Sequence, residues 1–90
     1  MPRYMITRTL PPLSPEQIEA VRVKSAGVCK EMGINWIRSH FTADGKLSFC
    51  EYEAEDEEAV REHARRTGIP VDEIVPLGLE LGPSMAARRV

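Results

Sequence analysis

The chain has 90 residues, 42% of them hydrophobic and 29% charged, with a formal net charge of -2 and a pI near 5.7. That length suits one domain with a modest core, and that hydrophobic fraction excludes a globally disordered chain. The slightly acidic balance excludes the basic stripe on which nucleic-acid binding depends, since the only local basic pairs are Arg65-Arg66 and Arg88-Arg89.

The opening segment, MPRYMITRTLPP, has no continuous apolar stretch, so no signal peptide is expected, and no run is long enough to cross a membrane. Cys29 and Cys50 are the only cysteines and form no CxxC pair. They are read as reduced thiols of a cytoplasmic protein.

Arg3–Leu10 is the first strand, rich in β-formers (Tyr4, Ile6, Thr7, Thr9), and Pro11-Pro12 stops it. Ser14 then caps a helix that has Pro15 at its first position and Gln17 at the capping-box spacing. The helix runs to Met32 and closes at Gly33. Ile18, Val21, Ser25, Val28 and Met32 recur at the spacing of one buried stripe, with Cys29 beside it.

Ile34–Thr42 reads as the second strand and Leu47–Ala54 as the third, joined by a hairpin at Asp44-Gly45. Strict alternation sets Ile34 and Trp36 on one face of the second strand, with Arg38 and His40, and Ile37 and Phe41 on the other. Asp56 caps a second helix, Glu57 to Thr67, with acidic residues at its start, Arg65-Arg66 at its end and Gly68 beyond. Glu73–Leu81 is the fourth strand, at an edge or bulged because Pro76 lacks a backbone donor. Residues 82–90 (GPSMAARRV) show no periodicity and are expected to be a flexible tail or a dimer arm.

The order β-α-β-β-α-β is the split-βαβ, ferredoxin-like arrangement: an α+β domain over residues 1–81, with a four-stranded antiparallel sheet and both helices on one face. Apolar residues on both strand faces leave one side of the sheet in need of cover. A face-to-face homodimer, a dimeric α+β barrel, is therefore expected.

Chemistry is expected around His63, which shares a helix face with Ala59, Val60, Ala64 and Thr67 and so points inward. Cys50 lies mid-strand just before that helix, on the face of Tyr52 and Ala54. Histidine nitrogen with cysteine sulfur is a soft donor pair suited to nickel, copper or zinc, or a thiolate activated by imidazole. The structural alternative is a core histidine bonded to a backbone carbonyl or to Ser39, beside an inert thiol. No HxxxH, CxxC or HExxH spacing decides between them. His40 is a further candidate ligand or a solvated strand-end residue, Trp36 a pocket wall or a core filler, and Glu51 and Glu53 a solvent rim.

Trp36-Ile37-Arg38-Ser39, Asp44, Phe49-Cys50-Glu51-Tyr52-Glu53-Ala54, Arg61-Glu62-His63-Ala64, Gly68-Ile69-Pro70 and Ile74 together resemble the bacterial family known as domain of unknown function 4242, often labelled nickel-binding-protein-like. The resemblance spans roughly residues 3–81. It implies a ferredoxin-like fold, a homodimer and nickel as a metal. Cys50 and His63 match the family's cysteine and histidine, and Ser39 its strand serine. Members often carry histidine where this chain has Arg38 and an aromatic residue where it has His40. A metal set of His63, Cys50 and His40 would then need water, a carboxylate or a partner chain to be complete.

The leading expectation is a dimeric cytoplasmic domain that binds a transition metal or a small ligand near His63 and Cys50, with Trp36, Ser39 and Tyr52 lining the ligand site. It leans away from catalysis and has no nucleic-acid or membrane partner. One rival is a dimeric α+β barrel enzyme with His63 as acid/base, Ser39 and Tyr52 as hydrogen-bond donors and Trp36 as a wall. A purely structural or regulatory dimer is the other.

Overall fold

The computed structural model describes residues 1–90. The strands β1 (Arg3–Thr9), β2 (Asn35–Phe41), β3 (Leu47–Glu53) and β4 (Glu73–Leu77) form one antiparallel sheet in the order β2-β3-β1-β4. Helices α1 (Pro15–Met32) and α2 (Glu57–Thr67) complete a ferredoxin-like α+β fold. Local signals set the boundaries. Ser14 and Gln17 form a reciprocal capping box, Asp56 accepts from Ala59 N–H, and Gly33, Gly45 and Gly68 take the positive φ their turns require. Pro76 sits on β4, which pairs with β1 alone and forms a sheet edge.

The core lies between sheet and helices. Tyr4, Ile6 and Arg8 of β1 and Ser48, Cys50 and Tyr52 of β3 are buried on that side, with Val60, His63 and Thr67 of α2 above them. Cys50 and His63 therefore share one side of the sheet.

Two expectations are corrected. In β2 the pairing with β3 shifts between Trp36 and Arg38, leaving Ile37 as the extra residue of a bulge. Trp36 stands opposite Tyr52, Ser39 opposite Cys50 and Phe41 opposite Ser48, so all three take the helix side. Arg38 and His40, opposite Glu51 and Phe49, take the outer face without Trp36. The second correction concerns the C-terminus. The expected fourth strand ends at Leu77, and Leu79–Gly82 (β5) pairs instead with Met85–Arg89 (β6) as a separate hairpin. Regular pairing thus reaches to within one residue of the C-terminus, where a tail without periodicity was expected.

The outer face is mixed rather than uniformly apolar. Met5, Phe49 and Val75 lie on it beside Arg3, whose guanidinium pairs with Glu51 (3.1 Å), Glu53 (3.4 Å) and Glu80 of the hairpin (2.7 Å). Arg38 adds a contact to Glu51 at 3.5 Å. No helix is long and apolar enough to cross a membrane.

Candidate functional site

Three cross-strand rows on the helix side build the floor of a cleft. Phe41, Ser48 and Arg8 form the first, Ser39, Cys50 and Ile6 the second, and Trp36, Tyr52 and Tyr4 the third. α1 forms the roof through Ile18, Val21, Arg22 and Ser25, and Leu10 and Ile69 complete the walls around about 210 Å3 of space. The bulge at Ile37 matters here. Without it, Trp36 and Ser39 would point to opposite faces.

The polar groups of the cleft are few and placed. Trp36 Nε1 donates to Ser39 Oγ at 2.9 Å, which leaves the Ser39 hydroxyl proton free to donate in turn. Ser48 Oγ is buried without a hydrogen-bond partner. Arg8, only 2% exposed, donates through one terminal nitrogen to the carbonyls of Ile69 (3.4 Å) and Pro70 (3.0 Å) and through the other to Tyr52 Oη (3.4 Å).

From Tyr52 a buried chain leads away from the cleft. Tyr52 Oη lies 3.4 Å from Ser25 Oγ, and Ser25 Oγ lies 3.2 Å from His63 Nε2. His63 is fully buried, stands edge-on to the Tyr52 ring at 5.2 Å, and has Nε2 3.3 Å from the Ser25 carbonyl oxygen. A carbonyl only accepts, so Nε2 carries the proton and Nδ1 holds a lone pair, buried without a partner. Burial pushes the His63 pKa below its ordinary 6.5, the Ser25 backbone bond opposes that, and the Arg8 charge adds to the lowering. His63 is therefore neutral at pH 7, and a backbone carbonyl holds it, as the structural alternative anticipated.

Burial likewise raises the Tyr52 hydroxyl pKa and pushes the Cys29 thiol up to about 11, so neither ionises near neutrality. Cys29 and Cys50 are both buried free thiols. Cys50 lines the cleft; His63 does not, standing behind Ser25 and Tyr52.

The sequence-derived ligand residues Trp36, Ser39 and Tyr52 thus come together with Cys50 around one space. The sequence-derived metal residues do not. His40 is on the opposite face of the sheet from Cys50 and His63, and nowhere do three His, Cys, Asp or Glu side chains gather in a way that could hold a metal ion. His63 keeps an orphaned Nδ1 lone pair on the helix side of the sheet. Glu51 and Glu53 are occupied by Arg3, and a hydrogen bond from Asn35 followed by one from Arg3 holds Glu53 below the usual carboxylate range.

Arg8 and Ser48 were not expected at this site, and Ser25 was expected only as a member of the buried stripe of α1. Arg8 and Ser48 were legible in principle, because each shares strand parity with buried neighbours: Arg8 with Tyr4 and Ile6, Ser48 with Cys50 and Tyr52.

Comparison with known proteins places this architecture. The chain superposes on the crystal structure of SCO4226 from Streptomyces coelicolor A3(2) with a TM-score of 0.77, over 87% of this chain and 98% of that one, at 19% identity. At that identity the likeness concerns the fold. No curated protein matches the sequence. A family model, described as nickel responsive protein SCO4226-like, matches residues 4–77, which take in all four strands of the sheet but for Arg3, both helices and the residues lining the cleft. The chain belongs to the SCO4226-like, nickel-responsive protein family.

Proposed function

We propose that this protein is a non-catalytic cytoplasmic binding domain that works as a homodimer and holds a small molecule in the cleft beneath α1. The observation that carries this reading is the cleft itself. It is concave, mainly apolar, and furnished with a few hydroxyls, an indole and a thiol that converge on one space. Catalysis by His63 finds no support, because the ring lies behind Ser25 and Tyr52 with its N–H committed to a carbonyl. The dimer reading rests on exposed Phe49 and Val75 on the outer face and on Leu79, Leu81 and Met85 of the hairpin, which would serve as an arm.

Filling the cleft tests the reading. In ligand-observed NMR with a panel of small organic compounds, wild type is expected to select binders that the Ser39→Leu variant loses. Equal binding by the filled variant would overturn the reading. For the dimer, light scattering is expected to give twice the chain mass for wild type and one chain mass for Phe49→Glu.

Family membership favours a second reading, in which the domain binds nickel. Since His40 faces away from His63 and Cys50, such a site would be completed between chains or with water. Calorimetry of tag-free protein with nickel, repeated on His40→Ala, His63→Ala and Cys50→Ser, separates the readings. Nickel affinity lost in one of these variants supports the metal, and no nickel uptake by wild type removes it.

A further inference from the structure

The ligand class can be named from the charges around the cleft, provided the cleft is the binding site proposed above. No aspartate, glutamate or histidine lines it. Arg8 does line it, is almost wholly buried, and forms no ion pair with any carboxylate of the chain, although Arg3, Arg22, Arg38, Arg61, Arg65, Arg66 and Arg88 all do. A guanidinium has five N–H donors. Three are directed at Ile69 O, Pro70 O and Tyr52 Oη, so two remain without a protein acceptor.

A buried cation without a counter-charge is unfavourable unless something else supplies the negative charge. Ser48, directly opposite Arg8 across the β1–β3 pair, adds a buried hydroxyl that also has no partner. Ser48 Oγ without a partner and the two spare N–H donors of Arg8 thus stand opposite each other on the β1–β3 pair.

The other groups narrow the choice. Arg22, at the roof, is already paired with Glu19, so the uncompensated charge of the cleft is one. The remaining surface is apolar or aromatic: Leu10, Ile18, Val21, Trp36, Phe41 and Ile69. A space of about 210 Å3 lies below the range of drug-sized ligand pockets, which sets a small ligand.

The geometry points to a small monocarboxylate with an apolar or aromatic body as the ligand, its carboxylate on Arg8 and Ser48 and its body against Trp36 and Phe41. A phosphate dianion would bring a second charge that nothing in the cleft balances, and no body for the apolar walls.

Trp36 is the only tryptophan of the chain and lines the cleft, so its fluorescence reports occupancy. The experiment titrates the full chain with benzoate, benzamide and inorganic phosphate at constant ionic strength and pH 7. Benzoate is expected to change the emission saturably. Its neutral isostere benzamide, and phosphate, are each expected to bind at least about tenfold more weakly, the scale of one charge-assisted hydrogen bond. Arg8→Gln is expected to abolish the preference for benzoate over benzamide. Ser48→Ala leaves the fold's own bonds intact and is expected to weaken benzoate several-fold while leaving benzamide unchanged, so the test stands if Arg8→Gln does not fold. Benzamide binding as tightly as benzoate, phosphate displacing benzoate at equal concentration, or an unchanged preference in folded Arg8→Gln would overturn the carboxylate and leave the cleft reading in place. Binding of neither aromatic probe would overturn both.

Discussion

The two helices cover the same sheet in different ways. α2 seals its half: Val60, His63 and Thr67 are buried, and His63 reaches across to Ser25. α1 is longer but buries only Ser25 and Cys29, leaving Ile18 38% and Val23 58% exposed. The two helices meet where Ser25 of α1 touches His63 of α2. The cleft lies between Ile18, Val21 and Arg22 of α1 and the facing residues of β2 and β3. A small fold can thus keep a firm core under one helix and an open, ligand-sized space under the other.

The largest expected effect breaks the sealed half. Val60→Ala removes fully buried methyl groups and should cost about 2 kcal/mol in urea unfolding. Val21→Ala, on the half-buried roof of the cleft, should cost under about 1 kcal/mol. Similar losses at the two sites would contradict the contrast between the helices.

A second prediction concerns pH. His63 has a folded pKa below 6.5, so the unfolded chain binds its proton first as the pH falls. The stability contributed by the neutral ring is complete above the ordinary histidine value. It is lost progressively as the pH drops below 6.5 toward the folded pKa. Unfolding midpoints measured between pH 7.5 and about 5 should fall for wild type and fall less for His63→Leu. Parallel curves would show that His63 does not carry the dependence.

Much of this contrast was legible in the sequence, but not evenly. The caps at Ser14 and Asp56, the glycine turns and the period of α2 are local signals, and each fixed its element within a residue or two. The inward turn of His63 followed from Val60 and Thr67 at helical spacing. Non-local facts were harder. The Ile37 bulge depends on pairing with β3 and moved Trp36 to the other face. The break at Gly78 turned the end of an expected strand into the first strand of a separate hairpin. Arg8 and Ser48 were hidden by their polarity, because a buried arginine without a carboxylate contradicts the rule that charges face water.

The smallest expected effect sharpens the open half. Ser48→Ala removes a buried hydroxyl that bonds to nothing, so its stability should change by less than about 0.5 kcal/mol or rise slightly. Ser25→Ala, by contrast, strips a hydroxyl shared by Tyr52 and His63, and should cost about 1 kcal/mol or more. A larger loss at Ser48 than at Ser25 would mean that Ser48 supports the fold rather than a ligand.

If small molecules bind in the space under α1, amide and indole shift mapping of the 15N-labelled protein during a benzoate titration will locate them there. Saturable shifts are expected at Arg8, Trp36, Ser39, Ser48, Cys50 and the facing turn of α1 around Val21 and Arg22, with the outer face at Met5, His40 and Val75 unmoved. Shifts confined to that outer face, or none at all, would contradict binding in that space.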